Sequence, residues 1–194
     1  MQINFRKEKN MEKVKIYGKN YSELAELLKK EREVGKTVVM ASGTFDLFHV
    51  GHMRMLAAAK NMGDILVVVV KSDRAAALKK KEPPVLDEKT RMETIANCIS
   101  ADYVVMADYD PCRLVQFPFE NVMSFEWLNM FVPVVRKIKP DIFVHEDNAT
   151  IANARRVLFE EYNVSGVIQP RTEGISTTDI IDRIRTRLLL EMQK

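Results

Sequence analysis

Runs of apolar residues alternate along the chain with stretches in which apolar residues recur at helical spacing. Tyr21, Leu24 and Leu28 share one helical face and predict a helix that ends near Gly35. Five apolar runs have the pattern of strands buried in a parallel sheet: TVVMAS, ILVVVV, YVVMA, DIFVH and VSGVIQ. Because helical patterns separate these runs, the sequence predicts an α/β fold, a Rossmann-like doubly wound parallel sheet in a single domain.

The remaining helices are predicted from the same periodicity, and the irregular segments from its absence. The helices cover about His52–Met62, Thr90–Ile99, Phe125–Ile138 and Ile151–Tyr162, with a last one from about Thr177. Residues 1–19 show no clean period and predict a loosely packed extension, whereas residues 108–124 predict a loop or insertion. We therefore divide the chain into an N-terminal extension and helix, 1–36, and a main domain, 37–194.

Composition narrows the class of protein. The chain has 194 residues, 46% of them hydrophobic and 29% charged, which suits one folded domain rather than a disordered chain. A net charge of +3 gives no reason to expect nucleic acid as a partner. The longest strictly apolar run, Ile65–Val70, is too short to span a bilayer, and the polar N-terminus does not resemble a signal peptide. We expect a cytoplasmic protein in which Cys98 and Cys112 are free thiols.

The loop after the first predicted central strand contains more candidate catalytic and binding residues than any other segment. In open α/β sheets, ligands bind beyond the carboxyl ends of the strands, and here that segment reads SGTFDLFHVGH. His49 and His52 stand three residues apart at a strand-to-helix junction, where free backbone N–H groups favour an anion. Gly51 would let a phosphate approach the backbone. Two alternatives remain open: purely structural histidines, or half of a metal site with Asp46.

Two motifs carry a resemblance to a known family. GTFDLFHVGH resembles the HxGH region of the nucleotidyltransferase superfamily, particularly the cytidylyltransferases that act on glycerol phosphate, phosphocholine and phosphoethanolamine. RTEGISTT, from Arg171, is similar to the RTEGIST motif of the same family. The resemblance implies transfer of CMP from CTP to a phosphorylated small alcohol, release of pyrophosphate, Mg²⁺ accompanying the nucleotide, and a homodimer.

The same resemblance implies roles for individual residues. The catalytic residues would be His49, His52, Lys81 and Arg171, with Lys79 and Lys80 as competitors of Lys81. The nucleotide would contact these groups together with Thr44, Phe45, His145, Thr172, Ile175, Ser176 and Thr177. The acceptor would contact Lys79, Arg91, Glu146, Asp147 and Thr150. No dedicated metal ligands are expected.

Each group also has a simpler interpretation. The lysine run 79–81 is also typical of a solvated loop, and Arg91 of a charge on a helix surface. Ser176 and Thr177 stand where a helix cap is expected, and Arg171 is a fork of donors suited to phosphate that could instead be solvated.

The chain departs from the family pattern in ways that bear on the acceptor. Glu146 stands where an aspartate is usual, and Thr150 where the phosphocholine enzymes have a tyrosine. Their tryptophan after the third strand has no counterpart near residues 108–111, and Trp127 is predicted to lie in the core. Since quaternary ammonium groups are held by aromatic faces, choline is disfavoured. Glycerol phosphate, phosphoethanolamine, another phosphorylated polyol or a phosphonate remain as acceptors.

Two alternatives to the cytidylyltransferase interpretation remain. The N-terminal helix followed by GKTVVMASGTFD also resembles heptose-phosphate adenylyltransferases and archaeal FAD synthases, which would make ATP the donor. A nucleotide-binding regulatory protein is the second alternative, because the last helix has basic residues beside an apolar face that could lie on anionic lipid. That helix is otherwise expected to pack on the sheet or on a partner subunit.

Overall fold

The computed structural model describes residues 15–80, 82–113, 116–117 and 121–193, and of residues 15, 16, 79 and 80 it describes the backbone only. The strands are β1 (Lys15–Gly18), β2 (Val38–Gly43), β3 (Ile65–Lys71), β4 (Tyr103–Ala107), β5 (Ile142–His145) and β6 (Ser165–Ile168). The helices are α1 (Tyr21–Glu33), α2 (Val50–Lys60), α3 (Asp73–Lys80), α4 (Glu88–Ala96), α5 (Val122–Ile138), α6 (Ala152–Tyr162) and α7 (Thr177–Met192), with a 3₁₀ turn at Ala149–Ile151.

The six strands form one parallel sheet in the order β1-β4-β3-β2-β5-β6. From β2 the chain runs outward through β3 and β4, and it then returns to place β5 on the other side of β2. The topological switch point therefore lies between β2 and β5, where ligands of open α/β sheets bind. This arrangement confirms the predicted α/β class and Rossmann-like topology.

Two apolar clusters hold the helices against opposite faces of the sheet. One face of the strands packs against α1, α5 and α6 through residues such as Leu28, Phe131 and Leu158. The other packs against α2 and α4 through residues such as Leu56 and Ile95. Because every central strand is covered on both faces, the strands read as continuous apolar runs rather than as alternating patterns.

The N-terminal part of the described chain differs from its prediction. Residues 15–18 were expected in a loosely packed extension, but they form β1 and pair in parallel with β4. Leu24 and Leu28 of α1 are fully buried in the same cluster as α5, and the Tyr21 hydroxyl donates a hydrogen bond to the carbonyl of Met106. Four residues with no apolar alternation give too little signal for a strand, which explains the error.

Three further differences lie outside the central sheet. Helix α3 reaches Lys80, so the first two residues of the lysine run 79–81 end a helix, where a solvated loop was the simpler expectation. Helix α5 begins at Val122, three residues early, because Asn121 caps it by accepting a hydrogen bond from the Ser124 N–H at 2.8 Å. Helix α7 begins where predicted, but none of its residues is buried, and Ile184, Leu188, Leu189 and Leu190 are at least half exposed.

The tryptophan, the two cysteines and the helix lengths were also subjects of sequence predictions. Trp127 is 7% exposed and packs against Phe131 with ring centroids 5.0 Å apart, so it is a core residue, as predicted. Cys98 and Cys112 are both free thiols. No helix in the ranges that the structure describes combines the length and apolar character needed to cross a bilayer.

Candidate active site

The two histidines of the first loop lie together at the amino end of α2. The imidazole rings of His49 and His52 stack with centroids 3.9 Å apart, and the ring of Phe48 also stacks with His52, at 5.5 Å. His49 is the N-cap of α2, and its Nδ1 accepts a hydrogen bond from the Gly51 N–H at 3.1 Å. His52 Nδ1 accepts from the His49 N–H at 3.4 Å. The structure therefore brings the pair together as the motif predicts.

These hydrogen bonds fix which ring nitrogen carries the proton. An Nδ1 that accepts a backbone N–H cannot itself be protonated, so each neutral ring has its proton on Nε2. Burial, reinforced by the neighbouring His49, lowers the pKa of His52 to about 4. Burial also lowers the pKa of His49, opposed by the carboxylate of Asp179. At neutral pH the pair thus consists of two neutral imidazoles, each with one Nε2–H donor.

Glycine at position 51 is required by the neighbouring histidine ring. A Cβ there would lie 2.9 Å from His49 Cε1 and 3.4 Å from Ile175 Cγ2. This is a different reason from the predicted close approach of a phosphate, because the space that a side chain would fill is already occupied by His49. It also shows that Ile175, from the second motif, lies beside the histidine loop.

The backbone of the histidine loop is strained. Phe45 and Leu47 adopt φ values of 57° and 43°, in the left-handed region that costs a residue with a Cβ about 1–2 kcal/mol. The Phe45 ring is buried over Gly43, where a Cβ would lie 2.9 Å from Cζ. Strain of this kind persists only where surrounding contacts impose it, and it clusters at functional sites.

Asp46 holds part of the strained backbone of the histidine loop. From the sequence it was considered only as one half of a possible metal site. Its buried carboxylate accepts hydrogen bonds from the N–H groups of Leu47, Val85 and Leu86 at 2.9–3.0 Å. The Asp46 carbonyl accepts from the Thr177 hydroxyl at 2.9 Å. The carboxylate thus binds backbone N–H groups, and the same residue ties the two sequence motifs together.

Arg91 is buried rather than presented to a ligand. Its side chain is fully buried, so it is not the helix-surface charge of the simpler interpretation. The guanidinium donates to the carbonyls of Leu86 and Thr44 and pairs with Asp73 Oδ1 at 2.6 Å. Through these contacts Arg91 positions the loops after β2 and β3. The family resemblance had implied instead that Arg91 contacts the acceptor.

The end of β5, beside β2 in the sheet, contributes His145. His145 Nδ1 lies 2.8 Å from Arg155 Nη1 and 2.9 Å from the Glu146 carbonyl oxygen, so it accepts from the guanidinium in one ring tautomer and donates to the carbonyl in the other. Burial and the nearby Arg155 charge lower the pKa of His145. Arg155 itself is 5% exposed and also donates to the carbonyls of Glu146 and Asn148. Arg155 was not predicted as a site residue, although it is an arginine on an otherwise apolar face of α6.

The second motif lies at the start of α7. Ser176 is the N-cap, and its hydroxyl oxygen accepts from the Asp179 N–H at 3.1 Å, as the sequence predicts. Arg171 Nη2 donates to Glu146 Oε2 at 2.6 Å, with both side chains more than half exposed. The Glu146 carboxylate therefore raises the pKa of Arg171. Residues assigned to the nucleotide and to the acceptor thus pair with each other.

Several predicted positions are not placed at the histidine pair by the described contacts. Asp147 and Thr150 are exposed, and the Thr150 carbonyl accepts hydrogen bonds from Asn121 and Ser124. Lys81 lies outside the described residues, as do the side chains of Lys79 and Lys80. Within the described ranges, no group of three or more histidine, cysteine or acidic side chains has a geometry that could hold a metal ion.

Comparison with known proteins identifies the family. The sequence model of the family described as cytidylyltransferase-like matches residues 40–183, which include both motifs. The chain belongs to the cytidylyltransferase-like family. The resemblance carried by the two motifs is confirmed.

Individual relatives agree with the family assignment. The bifunctional protein HldE of Geotalea uraniireducens is 32% identical over 176 residues, covering 89% of this chain and 32% of the relative. HldE of Syntrophotalea carbinolica is 34% identical over 166 residues, covering 84% and 30%. The chain therefore spans about a third of the length of these curated relatives.

Two solved structures are also similar to this chain. A lipopolysaccharide core biosynthesis protein from Thermoplasma volcanium matches with a TM-score of 0.50 and 26% identity, covering 71% of this chain and 98% of that one. A pantoate-beta-alanine ligase from Francisella tularensis, solved in complex with beta-gamma ATP and beta-alanine, matches with a TM-score of 0.59 and 13% identity, covering 85% of this chain and 74% of that one. At 13% identity, the match to the pantoate-beta-alanine ligase shows a shared fold and nothing more.

Proposed function

We propose that the protein transfers a nucleotidyl group from a nucleoside triphosphate to a phosphorylated small molecule and releases pyrophosphate. The observation that carries this proposal is the His49–His52 pair, in which both Nδ1 atoms are occupied by backbone N–H groups. Two neutral Nε2–H donors beside a helix N-terminus suit a phosphate, which accepts hydrogen bonds.

The reaction would proceed by direct in-line displacement. An oxygen of the acceptor phosphate attacks the α-phosphorus, the new P–O bond forms, and the bond to the bridging α–β oxygen breaks with its electron pair leaving on pyrophosphate. No covalent enzyme intermediate is needed. His49 and His52 would donate hydrogen bonds to the α-phosphate and the departing oxygen, which stabilises the charge that develops there.

The remaining residues would bind the two ends of the triphosphate. Arg171 would leave its ion pair with Glu146 and bind the β- and γ-phosphates instead. Ser176 and Thr177 at the start of α7 would bind the same phosphates. The N–H groups of Thr44 and Phe45 would complete the phosphate contacts. We also propose Lys81, with Lys79 and Lys80 as competitors, as the lysine that neutralises the phosphates of both substrates.

The nucleoside would lie beside β5 and the second motif. His145, Thr172 and Ile175 would border it, and Glu146, Asp147 and Thr150 would border the acceptor. Among these, Ile175 approaches Gly51 of the histidine loop, and the Glu146 carboxylate lies close enough to His52 to oppose the lowering of its pKa. We propose that Arg91 positions the loops on the acceptor side of the site and does not contact the acceptor itself.

Mg²⁺ is expected to accompany the nucleotide. Magnesium prefers oxygen ligands, and the described part of the site offers no cluster of acidic side chains, since the Asp46 carboxylate is bound to backbone N–H groups. The residues fit a phosphate better than a resident cation. The ion would therefore be held by phosphate oxygens of the nucleotide, whose charge it would reduce.

The sequence gives two candidates for the donor nucleotide, CTP and ATP. RTEGISTT resembles the cytidine-using branch and favours CTP. The match to the HldE proteins favours ATP, because an alignment over 89% of the chain must include part of residues 1–36, and this region resembles heptose-phosphate adenylyltransferases. The lipopolysaccharide core protein adds support for a sugar phosphate as acceptor beside the glycerol phosphate of the first interpretation.

We further propose a homodimer, as the family resemblance implies. Helix α7 leaves Ile184, Leu188, Leu189 and Leu190 at least half exposed, and a second copy would cover them. Light scattering after gel filtration tests this: a dimer that Leu188→Glu dissociates is expected, and a monomeric wild type would refute it. A membrane surface as the partner would instead appear as co-sedimentation with anionic vesicles.

The proposed reaction is tested by pyrophosphate release. CTP and ATP are each offered with Mg²⁺ and a panel of phosphorylated polyols, sugars, amino alcohols, phosphonates and FMN. We expect release that requires one nucleotide and one acceptor and falls at least a hundredfold in folded His52→Ala. Silence across the panel with nucleotide bound would favour the regulatory protein, and unchanged turnover in His52→Ala would refute the assignment.

A further inference from the structure

A buried arginine contacts the end of β5 and the residues that follow it, 145–148, which we call the β5 loop. Arg155 of α6 is 5% exposed and belongs to neither of the two sequence motifs. We propose that Arg155 is a positioning residue for the nucleotide, which holds the β5 loop in the shape that binds it. The inference rests on the proposed nucleotidyl transfer, in which His145 borders the nucleoside. Arg155 acts through the β5 loop and does not contact the nucleotide itself.

One guanidinium holds the β5 loop at three points. Arg155 Nη1 donates to the Glu146 carbonyl at 2.6 Å, and Nη2 donates to the Asn148 carbonyl at 2.9 Å. Nη1 also lies 2.8 Å from His145 Nδ1. Because the N–H donors of a guanidinium form a rigid planar fork, one side chain can make these contacts together. The shape of the loop therefore depends on a single side chain of the helix that follows it.

Stability alone does not favour this arrangement. The three groups that Arg155 contacts are neutral, so burial lowers the pKa of its guanidinium, while the Asp147 carboxylate raises it. A buried cation that is hydrogen-bonded to neutral groups has lost hydration without gaining a direct ion pair, which costs stability. Residues that break a general rule of stability are expected at functional sites.

Arg155 also selects the nitrogen of His145 that carries the proton. A ring protonated at Nδ1 could donate to the Glu146 carbonyl oxygen 2.9 Å away, but the same N–H would face a guanidinium donor at 2.8 Å. Two donors at that distance repel each other, whereas an unprotonated Nδ1 accepts the hydrogen bond. Burial lowers the pKa of His145 and the Arg155 charge adds to this effect, so the ring is mainly neutral at pH 7. The neutral ring therefore has its proton on Nε2.

Packing holds the His145 ring from other sides. Its centroid lies 5.7 Å from that of Phe159 and 6.4 Å from that of Phe143. Gly166 of β6 leaves room for it, since a Cβ there would lie 3.3 Å from His145 Nε2 and 2.6 Å from Phe159 Cε2. The ring is half-buried. Its position is thus fixed while part of it remains accessible to a ligand.

The β5 loop reaches both halves of the proposed site. The Glu146 carboxylate pairs with Arg171 Nη2 at 2.6 Å, and it lies close enough to His52 to oppose the lowering of its pKa. The loop also follows β5, which pairs with β2 at the topological switch point. A change in the backbone of residues 146–148 would therefore move groups beside the histidine pair and beside the second motif.

A loop that is held in advance binds a ligand more tightly than one that must become ordered. Ordering side chains and backbone on binding costs free energy, and a pre-formed loop avoids that cost. Without Arg155 the cost would appear in the affinity for the nucleotide. The His49–His52 pair belongs to the loop after β2 and to α2, and it would keep its own hydrogen bonds. Loss of Arg155 should therefore raise the nucleotide KM more than it lowers kcat.

Two variants at position 155 and a neighbouring control test this role. Arg155→Met removes the donors, Arg155→Lys keeps the charge without the planar fork, and Arg156→Gln removes the next arginine of α6, which is 60% exposed. We expect the nucleotide KM to rise at least tenfold in Arg155→Met and at least threefold in Arg155→Lys, with kcat changed less than threefold. The control should change neither. A wild-type nucleotide KM in both variants, or in Arg155→Lys if Arg155→Met does not fold, would overturn the role.

The nitrogen chemical shifts of the histidine rings test the contact without any turnover. The chain has three histidines, and His145→Gln identifies the signals of this one in long-range proton–nitrogen correlation spectra. We expect an unprotonated Nδ1 in the wild type and in Arg156→Gln. In Arg155→Met the proton should move toward Nδ1, because the Glu146 carbonyl is then its remaining partner. A protonated Nδ1 in the wild type, or a tautomer that Arg155→Met leaves unchanged, would contradict the assignment.

Failure of this inference is distinguishable from failure of the proposed reaction. If the wild type transfers nothing, calorimetric titration with non-hydrolysable analogues of CTP and ATP replaces the measurement of KM. Weaker binding in Arg155→Met with normal binding in Arg156→Gln supports the positioning role, whereas equal binding in the three proteins overturns it. A wild type that binds neither analogue refutes the proposed function, and this inference with it.

Discussion

At the scale of single residues, the geometry of the site depends on the hydrogen bonds that two imidazole rings accept from backbone N–H groups. A histidine at a helix N-terminus would ordinarily gain by accepting an N–H bond, and here both rings do so through Nδ1. The remaining Nε2–H groups are then donors whatever the ligand. The chemistry of the HxGH spacing therefore follows from the cap geometry of one helix.

Replacing Gly51 by alanine tests this dependence on the ring position. The added Cβ would lie 2.9 Å from His49 Cε1, so the ring must move. Gly51 lies in the first turn of α2, and the group that must move is a partly exposed side chain rather than backbone, so the free energy of unfolding should fall little. We expect turnover to fall at least tenfold in a protein that unfolds at a normal urea concentration. Unchanged turnover would show that the position of His49 is unimportant.

The lowered histidine pKa values predict a dependence of stability on pH. His52 has a pKa of about 4 in the folded protein against 6.5 in the unfolded chain, so the unfolded chain binds more protons between these values. Stability from this group is complete above pH 6.5 and is lost as the pH falls toward 4. Urea unfolding at pH 7, 6 and 5 should show this loss, and His52→Asn should reduce its slope. A slope unchanged in that variant would contradict the assignment.

At the scale of elements, the strength of the local signal decided what could be predicted. The strand Tyr103–Ala107 was predicted to the residue, and the start of α7 was predicted near Thr177, where it begins, because an apolar run and a Ser cap are strong local signals. Strand β1 was missed, because its place is set by pairing with β4 rather than by its own pattern. Arg91 could not be recognised as buried, since its partners come from loops distant in sequence.

Helix α1 is expected to be part of the folded unit rather than an appendage. Leu28 is fully buried against α5, whereas Val34, just after the helix, is 73% exposed. Leu28→Ala should lower the free energy of unfolding by about 2–5 kcal/mol, and Val34→Ala by less than about 0.5 kcal/mol. Urea unfolding of both variants measures this difference. Equal effects would show that α1 is dispensable and that residues 1–36 form a separate extension.

At the scale of the whole molecule, one sheet edge organises the chemistry. The histidine pair follows the central strand β2, Arg171 and Ser176 follow the strands on one side, and Ser72 and Asp108, which share a hydrogen bond, follow those on the other. The sequence could predict that its motifs meet at this edge, because parallel strands end together. It could not predict the Glu146–Arg171 pair or the hydrogen bonds between the buried Asn129 amide and the Asp110 backbone, which depend on the final packing of loops.

The central claim, nucleotidyl transfer, is tested most directly by following two labels. The preferred nucleotide is supplied with ³²P at the α-position or at the γ-position, together with the acceptor identified from pyrophosphate release. The account predicts that the α-label appears in the acceptor product and the γ-label in pyrophosphate, and that both transfers are lost in His52→Ala. A γ-label in the acceptor product, or release of the α-label without acceptor, would contradict it.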